Sequence, residues 1–130
     1  AIRLACRRHR EEDIEALRRC LADWDDALDD ATGIAELDRV FHGGIVRATQ
    51  NTVLLRLVNV FYLMTERRRA VYFGNLARRV QSLREHREIL DALVARDEER
   101  AVGLLDAHMS GADSYWQDLV AGAREPSPTA

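Results

Sequence analysis

Residues 11–30 read EEDIEALRRCLADWDDALDD, and this stretch decides the fold class. Ile14, Leu17, Leu21, Trp24 and Leu28 recur at steps of three and four, so they share one face of an α-helix while the charged residues take the other. The same rhythm extends along the chain in both directions. It predicts helical segments at about 1–9, 11–30, 34–49, 52–73, 76–95 and 98–120. Breaks are expected at Ala31-Thr32-Gly33 and at Phe73-Gly74-Asn75. Asn51 and Asp97 are placed to cap the helices that follow them. Strand-like alternation and internal repeats are not seen. Links this short between helices predict an all-α, antiparallel bundle of six to seven helices. The helix at 52–73 carries Leu54, Leu55, Leu57, Val58, Phe61, Tyr62 and Met64. A helix that apolar is expected at the centre of the bundle or against a partner chain.

The chain of 130 residues fits one domain, large enough to bury a core without staples. The expected domain spans 1–122, with the polar residues 123–130 as a disordered tail. The sequence opens AIRLACRRHR, without methionine or cap, as if inside a helix, so the first helix is expected to be truncated. The net charge is −3, all 19 basic residues are arginine, and the longest basic run is Arg67-Arg68-Arg69. That balance gives no nucleic-acid footprint. Cys6 and Cys20 form neither a C-x-x-C pair nor a disulfide framework, which points to the cytoplasm. The apolar run LVNVFYLM is too short to span a membrane, and no signal peptide is visible.

The chemistry resides in the histidines. His9 lies among arginines and is expected to be solvated. His42 follows Asp38 by four residues in LDRVFHGGI (37–45), so both side chains reach one point on the helix face. His86 falls between Leu83 and Leu90 on a stripe of Val80, Leu83, Ile89 or Leu90, and Leu93. His108 falls on a stripe of Ala101, Leu105 and Ala112. A single core histidine is ordinarily a packed residue with a hydrogen bond. Three on inward faces, with an aspartate, each need a partner, and one shared divalent ion satisfies all of them. Imidazole nitrogens and a carboxylate suit zinc first, with nickel, manganese or iron also fitting. H-E-x-x-H, E-x-x-H, His-Asp, G-x-G-x-x-G and P-loop patterns are all missing.

LDRVFHGGIVRATQN resembles the D-x-x-F-H…N motif of the effector-binding (FCD) domain of GntR-family regulators of the FadR subfamily. SLREHREILDALVARDEERAVGLLDAHM resembles that family's second block, including the interval from His86 to His108. The resemblance implies a six- or seven-helix bundle in which Asp38, His42, His86 and His108 hold a divalent metal at the bottom of a pocket. It further implies a small organic acid effector, a homodimer, and operator DNA bound only through an N-terminal winged helix-turn-helix domain not present in this chain. No enzymatic activity and no membrane contact are expected from it.

Beyond the motif, Asn51, Ser82 and Arg68 are candidate effector contacts. Asn51 competes with a plain N-cap role, and Arg68 with a solvated helix end; an arginine can grip a carboxylate with two hydrogen bonds. Gly43-Gly44 predicts either a local kink or close helix packing, or else room beside the metal. Two other functions remain at this level. One is a metal-dependent hydrolase or lyase, in which the ion activates a water; Glu85 and Glu88 flank His86 but point away from it along the helix. The other is a purely structural dimerisation bundle whose histidines are satisfied core residues.

Overall fold

A computed structural model describes residues 1–124, which form seven α-helices: α1 Ile2–Arg8, α2 Glu11–Asp26, α3 Ala31–Arg47, α4 Thr52–Met64, α5 Glu66–Tyr72, α6 Leu76–Val94 and α7 Glu98–Arg124. No strand occurs among the described residues. Within the expected tail, residues 123 and 124 continue α7, and 125–130 lie outside the described residues. No helix of the described residues is long and apolar enough to cross a membrane.

The apolar stripe of α2 is the bundle's spine. Ile14, Leu17, Leu21 and Trp24 are buried, and α2 packs on both α3 and α6. Burying side chains of this size stabilises the fold by about 1.5–3 kcal/mol each. The Trp24 ring is fully enclosed, and its Nε1 donates to the Arg79 carbonyl 3.1 Å away, fixing α2 against α6. Close approach of α2 and α3 depends on Gly44: a Cβ there would stand 2.7 Å from Leu17 Cδ2. At Gly43 the same addition meets nothing within 4 Å. Of the two readings of the glycine pair, Gly44 answers to helix packing.

Several boundaries differ from expectation. Residues 31–33 do not break the chain; they form the first turn of α3, because the Asp30 carboxylate accepts from the Gly33 N–H at 3.0 Å and caps it. The single helix expected at 52–73 divides at Thr65. Its hydroxyl donates to the Phe61 carbonyl at 3.0 Å, and the Arg69 guanidinium donates to the Tyr62 carbonyl at 2.7 Å and to Thr65 Oγ1 at 2.8 Å. These side-chain bonds take over carbonyls and hydroxyls where the helix ends. Nor is α4 central: only Tyr62 is buried, whereas Leu57, Leu63 and Met64 are 64%, 72% and 81% exposed. Val80, expected inside, is half exposed, while Leu83, Ile89, Leu90 and Leu93 are buried.

The first helix is docked against α7 by ion pairs, Arg3 to Glu99 at 2.6 Å and Arg7 to Glu98 at 2.7 Å. His9 is not a free surface residue. Its Nε2 meets the Leu93 carbonyl at 3.0 Å, where the last carbonyls of α6 lack helical partners.

Candidate metal centre

Three helices converge where the sequence predicts them to. Asp38 and His42 stand one turn apart on α3, His86 lies in the middle of α6, and His108 on α7. One ligand atom from each lies within 4.8 Å of all the others. His86 Nε2 is 3.0 Å from His108 Nε2 and 3.7 Å from Asp38 Oδ1, which is 3.4 Å from His42 Nε2. All four side chains are buried.

Packing holds the rings in place. The His86 imidazole stacks on Phe41 at 4.2 Å and receives the edge of Trp24 at 4.9 Å. The rings of His42 and His108 lie nearly parallel, 5.4 Å apart. Burial pushes the His86 pKa well below its ordinary value, and the neighbouring His42 and His108 push it the same way. The His108 pKa is also lowered, first by burial and then by His42, against an opposing pull from Glu85 and Asp38. Neutral imidazoles are the state a metal requires.

The residues present fit a divalent ion. Three neutral nitrogens and one carboxylate oxygen make a donor set that zinc, nickel, manganese or iron accepts. In the cluster two Nε2 atoms face each other at 3.0 Å, and at most one of them can carry the shared proton, so lone pairs crowd a buried point. His86 Nδ1 and Ser82 Oγ, one turn apart on α6, are buried with no hydrogen-bond partner.

Three of the four cluster residues, Asp38, His42 and His108, line a cavity of about 210 Å³, together with Ser82. Tyr62, Arg69, Tyr72, Phe73 and Trp116 are among its other lining residues. Ser82 and Arg68, both expected as ligand contacts, lie on this cavity. Asn51 does not: its Oδ1 accepts from the Leu54 N–H at 3.0 Å and caps α4. The Arg68 guanidinium is already bonded to Asp113 at 3.0 Å and stacked over Trp116 at 4.9 Å. Arg69 is the cation that sequence reasoning passed over. It stacks over Tyr62 at 4.6 Å, its Nε is buried without a partner, and it has no carboxylate partner among the described residues.

A second contact was missed: Glu85, weighed in the sequence only beside His86, partners His108. Glu85 Oε2 lies 2.5 Å from His108 Nδ1, reaching across from α6 to α7. The signal was present in the hairpin: Glu85 lies eleven residues before Arg96 and His108 eleven after Asp97, in the three-residue link Ala95-Arg96-Asp97 between α6 and α7. Two cysteines stay apart from the cluster. Cys20 donates to the Leu37 carbonyl at 3.3 Å, and burial pushes its thiol up to about 12.

Comparison with known proteins agrees with this architecture. The Nta operon transcriptional regulator of Aminobacter aminovorans is 29% identical over 124 residues, covering 95% of this chain. The chain spans 58% of that relative's length. The sequence model of the FCD domain matches residues 1–111, and the chain belongs to the FCD domain family.

Proposed function

We propose that this chain is the ligand-sensing and dimerisation domain of a bacterial transcription regulator of the GntR family, FadR subfamily. The reading rests above all on one observation: four buried donors from three helices meet at one point, and three of them, Asp38, His42 and His108, line a cavity of about 210 Å³. Asp38, His42, His86 and His108 would hold a divalent ion, with zinc the first expectation. When bound, the ion supplies a Lewis-acidic point for an oxygen ligand.

The rest of the cavity orients the ligand. Arg69, which has no carboxylate partner among the described residues, offers its positive charge to a carboxylate, Ser82 offers a hydroxyl, and Tyr72 and Trp116 enclose an organic body. The effector is thus a small organic acid. Its protein would be a cytoplasmic homodimer, contacting operator DNA through a further N-terminal domain and holding no enzymatic role of its own. The exposed apolar face of α4 supports the dimer. The relative named for transcriptional regulation supports the DNA link.

The test is metal analysis of purified protein, followed by melting with and without chelator. About one divalent ion per chain and a lower melting temperature on its removal are expected, because a ligand that binds only the folded state stabilises it. A protein that purifies without metal, binds none on addition and melts identically with chelator would return the histidines to the role of packed core residues.

A further inference from the structure

Glu85 stands outside the four donors but touches one of them. Its Oε2 lies 2.5 Å from His108 Nδ1, while its other oxygen, Oε1, accepts from Gln81 Nε2 at 2.9 Å. Gln81 in turn accepts from Arg78 Nη1 at 3.5 Å. We propose that Glu85 is a positioning residue of the metal centre, fixing the tautomer and direction of His108 and supplying the second negative charge that balances a divalent ion. The proposal rests on reading Asp38, His42, His86 and His108 as the ligands.

The tautomer follows from what each group can do. An ionised carboxylate only accepts hydrogen bonds, and a neutral imidazole carries one N–H and one bare nitrogen. With Glu85 on Nδ1, the proton of His108 sits there, and Nε2 faces the cluster as a lone pair. Without Glu85, the ring is free to place its N–H toward His86 and Asp38, where it blocks a metal. The bond also limits rotation of the ring about its Cβ, since Gln81 holds the carboxylate from its other side.

Charge gives an independent reason. A divalent ion held by three neutral imidazoles and Asp38 leaves one uncompensated positive charge in a buried setting, and such a charge is costly. Glu85, a quarter exposed at its side chain, is the carboxylate in contact with the donor set. His86 lacks any such support: its Nδ1 has no partner. Outer carboxylates of this kind typically strengthen metal binding by about 10–100-fold.

The experiment compares wild type with Glu85→Gln, which keeps shape but removes charge, and Glu85→Ala. Glu88→Gln serves as a control on an exposed neighbour of the same helix. Zinc affinity is read by competition with a chromophoric chelator, cobalt(II) coordination by its visible spectrum, and metal-free stability by melting. Glu85→Gln is expected to weaken zinc about 10–100-fold, to alter the cobalt spectrum, and to leave the metal-free melting temperature in place, with Glu88→Gln unchanged throughout. If wild type binds zinc and Glu85→Gln binds it equally well, the role of Glu85 is overturned while the metal centre stands. A metal-free melting temperature that falls in step with affinity marks a merely structural carboxylate and overturns it as well. Wild type that binds neither metal overturns the metal centre itself, and Glu85's role with it.

Discussion

The His86 ring lies parallel to Phe41, their centroids 4.2 Å apart, with Trp24 closing the other approach edge-on. His86 is therefore a core residue and a candidate ligand together, whereas His108 borders the cavity. The two should separate on substitution in metal-free protein. His86→Ala removes a fully buried ring from between aromatics and should cost about 2–5 kcal/mol, the range for emptying a core position. His108→Ala opens onto the cavity and should cost clearly less. Urea denaturation in the presence of chelator measures both; equal losses would contradict this division.

The glycine pair offers a second contrast. Replacing a helical glycine by alanine gains about 1 kcal/mol where the space is open. Gly43 meets that condition, so Gly43→Ala should raise the melting temperature. At Gly44 the new methyl would press on Leu17, itself buried on α2. Overpacking of that sort costs about 1–3 kcal/mol, which offsets or exceeds the gain. Gly44→Ala should melt at or below wild type, and the two variants should differ by at least about 1 kcal/mol. Identical melting of the two would rule out Gly44 as the point of close approach.

Arg68 and Arg69 are adjacent in sequence but differ in what they already hold. Arg68 is neutralised by Asp113, while Arg69 bonds to a carbonyl and a hydroxyl and keeps its charge available. Citrate serves as a polycarboxylate probe on metal-loaded protein, with binding read by calorimetry. Arg69→Ala should weaken it about 10–100-fold, corresponding to about 1.5–3 kcal/mol for hydrogen bonds to a charged group. Arg68→Ala should have a smaller effect. A reversed order would make Arg68 the anchor.

Much of this architecture was legible in the residues, and the exceptions have physical causes. The stripe from Ile14 to Trp24 and the spacing of Asp38 from His42 are local periodicities, so they survive into the fold. Convergence of His86 and His108 needed only a short α6–α7 link. What could not be read locally was how side chains compete for backbone groups. Asp30 capping Gly33 turned an expected break into the first turn of α3, and Thr65 with Arg69 divided an apolar run that looked continuous. The link from Glu85 to His108 was not legible because its partner is on another helix, and its own neighbour in sequence, His86, points elsewhere. The place of α4 stayed open between the bundle centre and a partner contact, because apolar composition says that a face is to be covered, not by which chain.

Both thiols should be silent in the native protein. Cys6 and Cys20 are buried, and burial raises their pKa values, that of Cys20 to about 12. The thiolate is the reactive form, so at pH 8 almost none is present on Cys20, and Cys6 is shielded by its burial. The sign for stability follows: the folded state holds the Cys20 proton more tightly than the unfolded chain, so this contribution is intact below about pH 8.5 and fades as pH rises toward 12. A disulfide-exchange reagent at pH 8 should titrate two thiols per chain in denaturant and essentially none without it. Fast reaction of either cysteine in native protein would show that its helix opens readily.

The outer face of α4 gives the last prediction. Val53, Leu57, Val60 and Met64 recur at steps of four, three and four, so they form one stripe, and each is more than half exposed. Phe61 and Leu63 widen it on either side. A contiguous apolar surface of this kind is uncommon on a monomer and marks an interaction site. The proposed homodimer would cover it with the same helix of a second copy, as two-fold symmetry requires of a self-complementary patch. Leu57→Asp combined with Met64→Asp places like charges across that contact and should yield monomers by analytical ultracentrifugation. Helix content should not change, since neither side chain contributes to the core. A double variant that remains dimeric would move the interface elsewhere on the bundle.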